Sequence, residues 1–196
     1  ANAMYNNLLA SIPANEKERL LKKLANSYNV IAHNRLSQGN YPEGLKNSFL
    51  ALKIREEIGS KKGIADSEFN IANAYYGQQN YTEAIKHYTF SLELSKELGN
   101  KADMATAYSS IGFMYFEQGN YPEAITNYTA SLNLAEETGD KYTLAEIYSN
   151  LGAINNKQGN YNRALKYNFD ALRLFGEIGN NEQIAFIYNN IAEVYL

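Results

Sequence analysis

Few side chains in this sequence could perform acid–base or metal chemistry, and they are scattered. His33 and His87 are the only histidines, and there is no cysteine. The two histidines fall on different surfaces of their predicted helices, and no carboxylate stands at a spacing that would complete a metal site with them. Carboxylate pairs such as Glu136-Glu137 come late in predicted helices, where we expect them to face water. The chain is therefore predicted not to be an enzyme, and no cofactor or metal site is predicted.

Signals for phosphate, nucleic-acid and membrane binding are also missing. The segment "GNYPE" at 119–123 is not followed by the Lys-Ser/Thr pair that a phosphate-binding loop needs. The net charge is −3 and there is no basic block, which argues against nucleic acid as a partner. No apolar run approaches the roughly 20 residues of a membrane span, so no membrane contact is predicted. We expect a cytoplasmic location, with a periplasmic sensor region as the alternative.

One seven-residue segment recurs at a fixed interval of 40 residues. The copies are "QGNYPEG" at 38–44, "QQNYTEA" at 78–84, "QGNYPEA" at 118–124 and "QGNYNRA" at 158–164. Each copy stands between two stretches whose apolar residues have helical spacing. The segment is therefore interpreted as a turn between two helices, with any contact to a ligand as the less favoured reading.

The residue types of the segment explain how such a turn would form. Gly119 suits the left-handed position that closes a helix, and Gln79 at the equivalent position should cost about 1 kcal/mol. Asn120 is a good N-cap, and Glu123 completes a pattern similar to a capping box. A second glycine ends every second helix, at Gly59, Gly99, Gly139 and Gly179.

The unit is thus helix, turn, helix, turn, and its tandem repetition predicts a solenoid. Predicted helices cover 16–37, 42–58, 61–77, 82–98, 101–117, 122–138, 141–157, 162–178 and 181–195, with a short helix possible at 4–12. Residues 1–15 are interpreted as an expression scar and a lead-in. A single domain is predicted for 16–196, with repeats at 16–60, 61–100, 101–140 and 141–180 and a partial repeat at 181–196.

Aligned repeats share columns of similar residues, and these carry a resemblance to a known family. Within one unit the pattern is Tyr108, Ile111, Gly112, Tyr115, Ala124, Tyr128 and Ser131. This pattern resembles the tetratricopeptide repeat (TPR) family, in particular its long-repeat subgroup in bacterial peptide-sensing regulators, signalling sensors and eukaryotic adaptors. The sequence departs from the pattern at Arg35, Ser48, Glu68, Asn155 and Asn168, where aromatic or apolar residues are expected.

The resemblance implies an all-α, right-handed TPR solenoid with four full helix pairs and a fifth first helix. It also implies a non-catalytic scaffold that binds a protein or peptide in a concave groove lined by the first helices. On this basis the chain is expected to be the sensor or adaptor region of a larger regulatory protein.

Asparagines and aromatic residues recur on the side of the first helices that should line this groove. Amides can hold the backbone of a peptide without reading its side chains, and exposed aromatic surface is typical of partner sites. A competing explanation is a composition rich in asparagine and tyrosine, with Tyr76 and Phe116 packing against an adjacent repeat. The predicted groove residues are Asn29, His33, Phe69, Asn70, Asn73, Tyr76, Ser110, Phe113, Phe116, Asn150, Asn156 and Asn190.

Two further expectations concern partners. The groove is not basic, and the lysine position of the family's clamp for acidic tails holds Asn29, Phe69, Ser109, Ser149 or Asn189, which disfavours acidic C-terminal peptides. The alternative function is an assembly element that oligomerises through its ends or convex face. The apolar side of 181–195 has no following helix to cover it, so we expect weak self-association through 184–196.

Overall fold

The computed structural model describes residues 13–195, and every regular element in this range is an α-helix. The helices are α1 Ala14–Ser37, α2 Tyr41–Glu57, α3 Lys61–Gly77, α4 Tyr81–Glu97, α5 Lys101–Glu117, α6 Tyr121–Thr138, α7 Lys141–Lys157, α8 Tyr161–Ile178 and α9 Asn181–Tyr195. Each predicted helix from 16 onwards is present, and no end differs from the predicted one by more than two residues. The predicted helix at 4–12 lies outside the described residues.

Tight turns separate the helices, and their geometry follows from the residues predicted to form them. Gly119 has φ 73°, and its N–H donates to the carbonyl of Phe116 at 2.9 Å. The next N–H, that of Asn120, donates to the carbonyl of Tyr115 at 2.9 Å, so the last carbonyls of α5 are satisfied. Gln79 also adopts the left-handed conformation, with φ 59°, which confirms the strained position expected from the sequence.

The N-caps agree only in part with the predicted capping boxes. The side chains of Asn40 and Asn80 accept from the N–H groups of Glu43 and Glu83 at 3.4 and 3.3 Å. Asn120 makes no side-chain capping bond, so the box predicted there is wrong. The reciprocal half of a box is not needed in these turns, because the asparagine N–H is already used to close the preceding helix.

The chain forms two compact units that divide between Leu94 and Ser95, within α4. We call their described parts unit 1 (13–94) and unit 2 (95–195). In unit 1, α2 packs on both α1 and α3, and α1 also contacts α3. The prediction of a single domain over 16–196 stays a prediction.

Small residues allow the helices of each unit to pack closely. In unit 1, Ala32, Ala65 and Ala72 are essentially fully buried. In unit 2, a Cβ added at Gly112 would lie 3.0 Å from the ring of Tyr128, whose side chain is fully buried. Larger side chains fill the remaining space, as the Tyr128 ring does against Gly112.

Two apolar clusters form the core of unit 2. One joins α6 and α7 through Tyr128, Ile147 and Ile154, and the other joins α7, α8 and α9 through Phe175 and Ile187. Within unit 2, the cores of neighbouring helix pairs therefore share helix α7, and the predicted all-α class is confirmed for the described residues.

Polar residues occupy several core positions, as the departures from the family pattern predicted. Ser48, Glu68, Asn155 and Asn168 are all buried, whereas Arg35 is exposed. Three of the buried four have hydrogen-bond partners: Ser48 donates to the carbonyl of Gly44, Asn155 donates to that of Leu151, and Glu68 contacts His87. Both polar atoms of the Asn168 amide lack a partner within the described residues.

Candidate interaction surface

Half of the predicted groove residues lie in unit 1, on one side of α1 and α3. We call this side the first-helix face of unit 1; it carries Asn29, His33, Phe69, Asn70, Asn73 and Tyr76. His33 is exposed, and the other residues except Tyr76 are half-buried. Helices α1 and α3 are in contact, and we refer to these six side chains as the strip of unit 1.

The two aromatic residues of this strip are anchored by other rings while part of each stays accessible. Phe69 meets the ring of Tyr88 edge to face, with centroids 5.0 Å apart. Tyr76 is 38% exposed and lies against Tyr81, with ring centroids 6.4 Å apart. Rings held in this way can bind a partner without the entropy cost of fixing a mobile side chain.

The three asparagines of this strip have different surroundings, although their residue type is the same. Asn73 accepts a hydrogen bond from the hydroxyl of Tyr88 at 2.5 Å. With its amide oxygen turned towards Arg55, Asn29 accepts from both Nη atoms at 2.8 Å. The half-buried Asn70 amide has no hydrogen-bond partner within the described residues. Asn70 is therefore the amide of this face that is most available to a ligand.

The first-helix face of unit 2 carries the other half of the predicted residues. It is formed by α5, α7 and α9 and includes Ser110, Phe113, Phe116, Asn150, Asn156 and Asn190, all of them half-buried. Helix α7 contacts both α5 and α9. Helix α7 therefore connects the two other helices that carry this face.

Two phenylalanines form the aromatic part of this second face. Phe113 and Phe116 stack with centroids 6.2 Å apart, and Phe116 lies 6.0 Å from the ring of Tyr121. Both phenylalanines also pack against the cluster around Tyr128. Phe116 therefore contacts Tyr121 of its own helix pair, whereas the competing explanation, in which it packs against an adjacent repeat, stays a prediction.

Polar groups of the second face are partly committed to internal hydrogen bonds. The Ser110 hydroxyl donates to the carbonyl of Thr106 at 2.9 Å, and the Asn190 amide donates to the Ser149 hydroxyl at 3.4 Å. Asn150, like Asn70, is half-buried and has no partner within the part of the chain that the structure describes. Burial raises the pKa of Glu146, which is the half-buried carboxylate of the same helix.

The sequence did not reveal two polar clusters in unit 1. His87 is not a lone surface residue: its Nδ1 lies 2.5 Å from the Glu68 carboxylate, and its ring stacks on Tyr75 with centroids 5.3 Å apart. Arg55 is 6% exposed and is enclosed by hydrogen-bond acceptors from α1 and α3. Both clusters join residues from different helices, so no pattern along one helix indicates them.

Catalytic and membrane features can be addressed for the described residues alone. Across 13–195, no group of three or more histidine, aspartate or glutamate side chains is placed to hold a metal ion. Within the same range, no helix has the length and apolar character required to cross a membrane.

A comparison with protein families decides what kind of repeat this is. The tetratricopeptide repeat profile matches three overlapping windows, at residues 23–97, 63–137 and 103–177. The chain belongs to the tetratricopeptide repeat family. TPR domains are helical repeat scaffolds, typical of the sensor and adaptor regions through which proteins bind other proteins, and they are generally not catalytic. No curated protein matches the chain in sequence.

Solved structures with the same fold come from several kinds of protein. BtubC from P. vanneervenii is 18% identical, with a TM-score of 0.78 over 89% of this chain and 73% of its own. A signal transduction ATPase with numerous domains and a tetratricopeptide repeat sensor, from Pyrococcus horikoshii, is 20% identical with a TM-score of 0.79; this chain covers 27% of its length. Aspartyl phosphate phosphatase F from Bacillus subtilis is 15% identical with a TM-score of 0.81, over 85% of this chain and 44% of its own. At these identities the likeness concerns the fold alone.

Proposed function

We propose that this TPR domain recognises an extended or helical peptide segment of a protein partner through its first-helix faces. Such recognition would make it the sensor or adaptor region of a larger regulatory protein. The observation that supports this proposal most directly is the pair Asn70 and Asn150. Each is a half-buried amide with no hydrogen-bond partner among residues 13–195, and each lies on a face that also carries aromatic rings.

The chemistry of these amides suits a peptide backbone. A primary amide offers two donors and one acceptor, so it can pair with both the C=O and the N–H of an extended chain. A half-buried amide has already lost part of its hydration in the free protein. A ligand that hydrogen-bonds to this amide therefore pays less desolvation free energy than one that binds a fully hydrated amide. Nearby rings such as Phe69 and Phe113 would contact the partner's apolar side chains.

The wider family supports the same class of function. One neighbour in fold is described as a signal transduction protein whose tetratricopeptide repeats form a sensor. A sensor role for the present chain would require that its faces bind a ligand selectively.

A peptide selection tests the proposal without knowledge of the natural partner. A random peptide library displayed on phage is selected against the protein, and the recovered peptides are titrated against Asn70→Ala and Asn150→Ala by fluorescence anisotropy. We expect at least one of the two variants to weaken binding by about tenfold, equivalent to about 1.4 kcal/mol.

The control is Asn133→Ala, which removes an exposed amide from α6, the second helix of its pair and outside the proposed faces. All three variants should keep the circular dichroism and melting curve of the wild type. Peptides that bind all three variants as tightly as the wild type would place the binding site elsewhere and refute the proposed faces.

A second candidate function, oligomeric assembly, is favoured by the surface of α9. Tyr188 is 58% exposed and Tyr195 is 71% exposed, whereas Ile187 and Ile191 of the same helix are buried against α7 and α8. The exposed tyrosines form an apolar surface of the kind that finds partners. Self-association through this surface remains a prediction.

Light scattering over a concentration series tests that prediction. Because Ile187 is fully buried, lysine at that position would disturb folding and would not report on association. The informative change is Tyr188→Lys combined with Tyr195→Lys, which should lower the average mass at high concentration. An average mass that stays monomeric in the wild type and in this variant would exclude assembly through α9.

A further inference from the structure

Arg55 in unit 1 is a buried cation that forms no ion pair within the described residues. Its Nη1 donates to the Gly63 carbonyl at 2.8 Å and to the Ser67 hydroxyl at 2.9 Å. Its Nη2 donates to the amide oxygen of Asn26 at 3.3 Å. With its amide oxygen turned towards Arg55, Asn29 accepts from both Nη atoms. All of these acceptors are neutral, so the positive charge is hydrogen-bonded but not balanced.

The surrounding residues are arranged to admit the guanidinium. A Cβ added at Gly63 would lie 2.8 Å from the Arg55 side chain, so glycine is the residue that leaves room for it. Ser67 is fully buried and supplies an acceptor where the equivalent residues of later repeats, Ala107 and Ile147, are apolar. Glycine and serine therefore form a polar pocket at this one place in the repeat.

The guanidinium lies at the bottom of an open cleft between α1, α2 and α3. The cleft has a volume of about 210 Å³ and is lined by Lys22, Ala25, Asn26, Arg55, Ile58, Ser60, Lys62, Gly63 and Asp66. Sites for whole small molecules are usually about 300 Å³ or larger, so this cleft fits a single side chain or chain terminus.

The charges of the cleft favour an anion. Lys22, Arg55 and Lys62 contribute three positive charges, and Asp66 is the carboxylate that lines it, paired with Lys62 at 2.9 Å. Lys22 is also paired with Glu18, with Nζ and Oε1 2.6 Å apart. Burial lowers the pKa of Arg55 and the charge of Asp66 opposes this, so an added anion would stabilise a cation that the protein already holds at a cost.

We infer that this cleft is a subsite for a carboxylate of the partner, supplied by an aspartate, a glutamate or a chain terminus. The carboxylate would replace the exposed Asn26 amide, whose 3.3 Å bond is the longest that Arg55 makes, and accept from Nη2. Charge-assisted bonds between guanidinium and carboxylate are about twice as strong as neutral ones. The identity of the ligand as a protein segment rests on the proposed function, whereas the anion site itself does not.

The inference modifies one expectation from the sequence. The lysine position of the family's clamp for acidic tails is on the first helices, and here it holds no lysine. Arg55 instead comes from a second helix and reaches between α1 and α3. An acidic group is therefore accepted in unit 1 by a different residue from a different helix.

Titration with glutarate, a small dicarboxylate, tests the site directly. The Nε–Hε signal of Arg55 and the backbone amide signal of Gly63 are followed by NMR during titration with sodium glutarate, and with sodium chloride at the same ionic strength. We expect saturable shifts with glutarate and not with chloride. Arg55→Gln should weaken binding by about tenfold or more, and Lys62→Gln by about two- to fivefold.

Controls keep the result decisive even if Arg55→Gln folds poorly. The double change Lys22→Gln with Lys62→Gln alters exposed side chains alone and should weaken glutarate binding, whereas Lys53→Gln on α2 should not. Shifts that do not saturate, or binding that survives in Arg55→Gln, would overturn the inference. Selected peptides that depend on Asn70 but bind Arg55→Gln normally would refute this subsite and leave the proposed function intact.

Discussion

Two tyrosines at equivalent positions of adjacent repeats offer a sharp test of the packing described above. Tyr88 and Tyr128 are both buried, at 3% and 0% exposure. The Tyr88 hydroxyl donates to Asn73, but the Tyr128 hydroxyl has no partner within the described residues. The residue equivalent to Asn73 in the next repeat is Phe113, which cannot accept a hydrogen bond.

This difference predicts opposite effects of the same substitution. Tyr88→Phe leaves the Asn73 acceptor without its donor and should lower the free energy of unfolding by about 1–2 kcal/mol. Tyr128→Phe removes a hydroxyl that is buried without compensation and should raise that free energy by about 1 kcal/mol. For a chain of this size, the second change corresponds to an increase in Tm of about 2–4 °C.

Urea unfolding followed by circular dichroism measures both changes, and Phe113→Asn adds a further control. Asparagine at 113 recreates the acceptor, so a double-mutant cycle between positions 113 and 128 should show favourable coupling. If Tyr128→Phe destabilises the protein as much as Tyr88→Phe does, the Tyr128 hydroxyl has a partner and the reasoning is wrong.

The same hydroxyl predicts how stability depends on alkaline pH. Burial raises the pKa of Tyr128 far above its usual value, and the charges of Glu117 and Glu146 raise it further. Below about pH 10 the phenol is protonated in the folded and the unfolded chain; above it, the unfolded chain loses the proton first. Stability therefore falls as the pH rises through this range, by up to about 1.4 kcal/mol per pH unit from this group. Tyr128→Phe should reduce that slope, and an unchanged slope would contradict the assignment.

Three further predictions concern individual contacts. Asn168 is 1% exposed, and both polar atoms of its amide lack a partner within the described residues. Asn168→Leu should therefore raise the free energy of unfolding in urea by about 1–2 kcal/mol. A lower free energy of unfolding would reveal a partner for the amide. Gly112→Leu should lower the free energy of unfolding by about 1–3 kcal/mol or more, because a Cβ there already meets Tyr128. Ser110→Ala should change that free energy by no more than about 0.5 kcal/mol. Equal losses in a thermal melt would mean that the buried face is misassigned. Gln79→Gly should raise the free energy of unfolding by about 1 kcal/mol, because φ is 59° at this position. Gly119→Ala should lower the free energy of unfolding, and differential scanning calorimetry measures both changes.

The fold could be predicted from the sequence because every repeat carries the same local signals for turns and for close helix packing. Gly119 and its equivalents specify left-handed turns, and small residues such as Ala72 and Gly112 specify close helix contacts. Turn chemistry, helical period and repeat spacing agree with one another, which is the condition under which sequence determines structure most clearly. The errors are local, as at Asn120, where the predicted cap bond is not made.

The candidate surface could be predicted only to the level of the helix side. The assignment of Asn29, Asn70 and Asn73 to a groove on α1 and α3 stays a prediction, and the sequence could not tell which of these amides lacks a hydrogen-bond partner within the described residues. That depends on Arg55 and Tyr88, which come from the neighbouring helices α2 and α4. Hydrogen bonding between helices is set by tertiary packing, and no periodicity within one helix reports it.

Unusual residues in a repeat column are informative when they are considered in contacting pairs. Glu68 and His87 meet in unit 1, and the residues 80 positions later, Tyr148 and Tyr167, stack in unit 2 with ring centroids 6.1 Å apart. The same contact between a first and a second helix is thus made by an acid and a base in one repeat and by two phenols in another. A carboxylate at position 68 facing a tyrosine at 87 would have no basic partner, so the unusual residues at the two positions explain each other. Arg55 is likewise matched by unusual residues that it contacts, Gly63 and Ser67. Asn168 lies opposite Gly152, which offers no polar side chain. The Asn168 amide accordingly has no hydrogen-bond partner within the described residues.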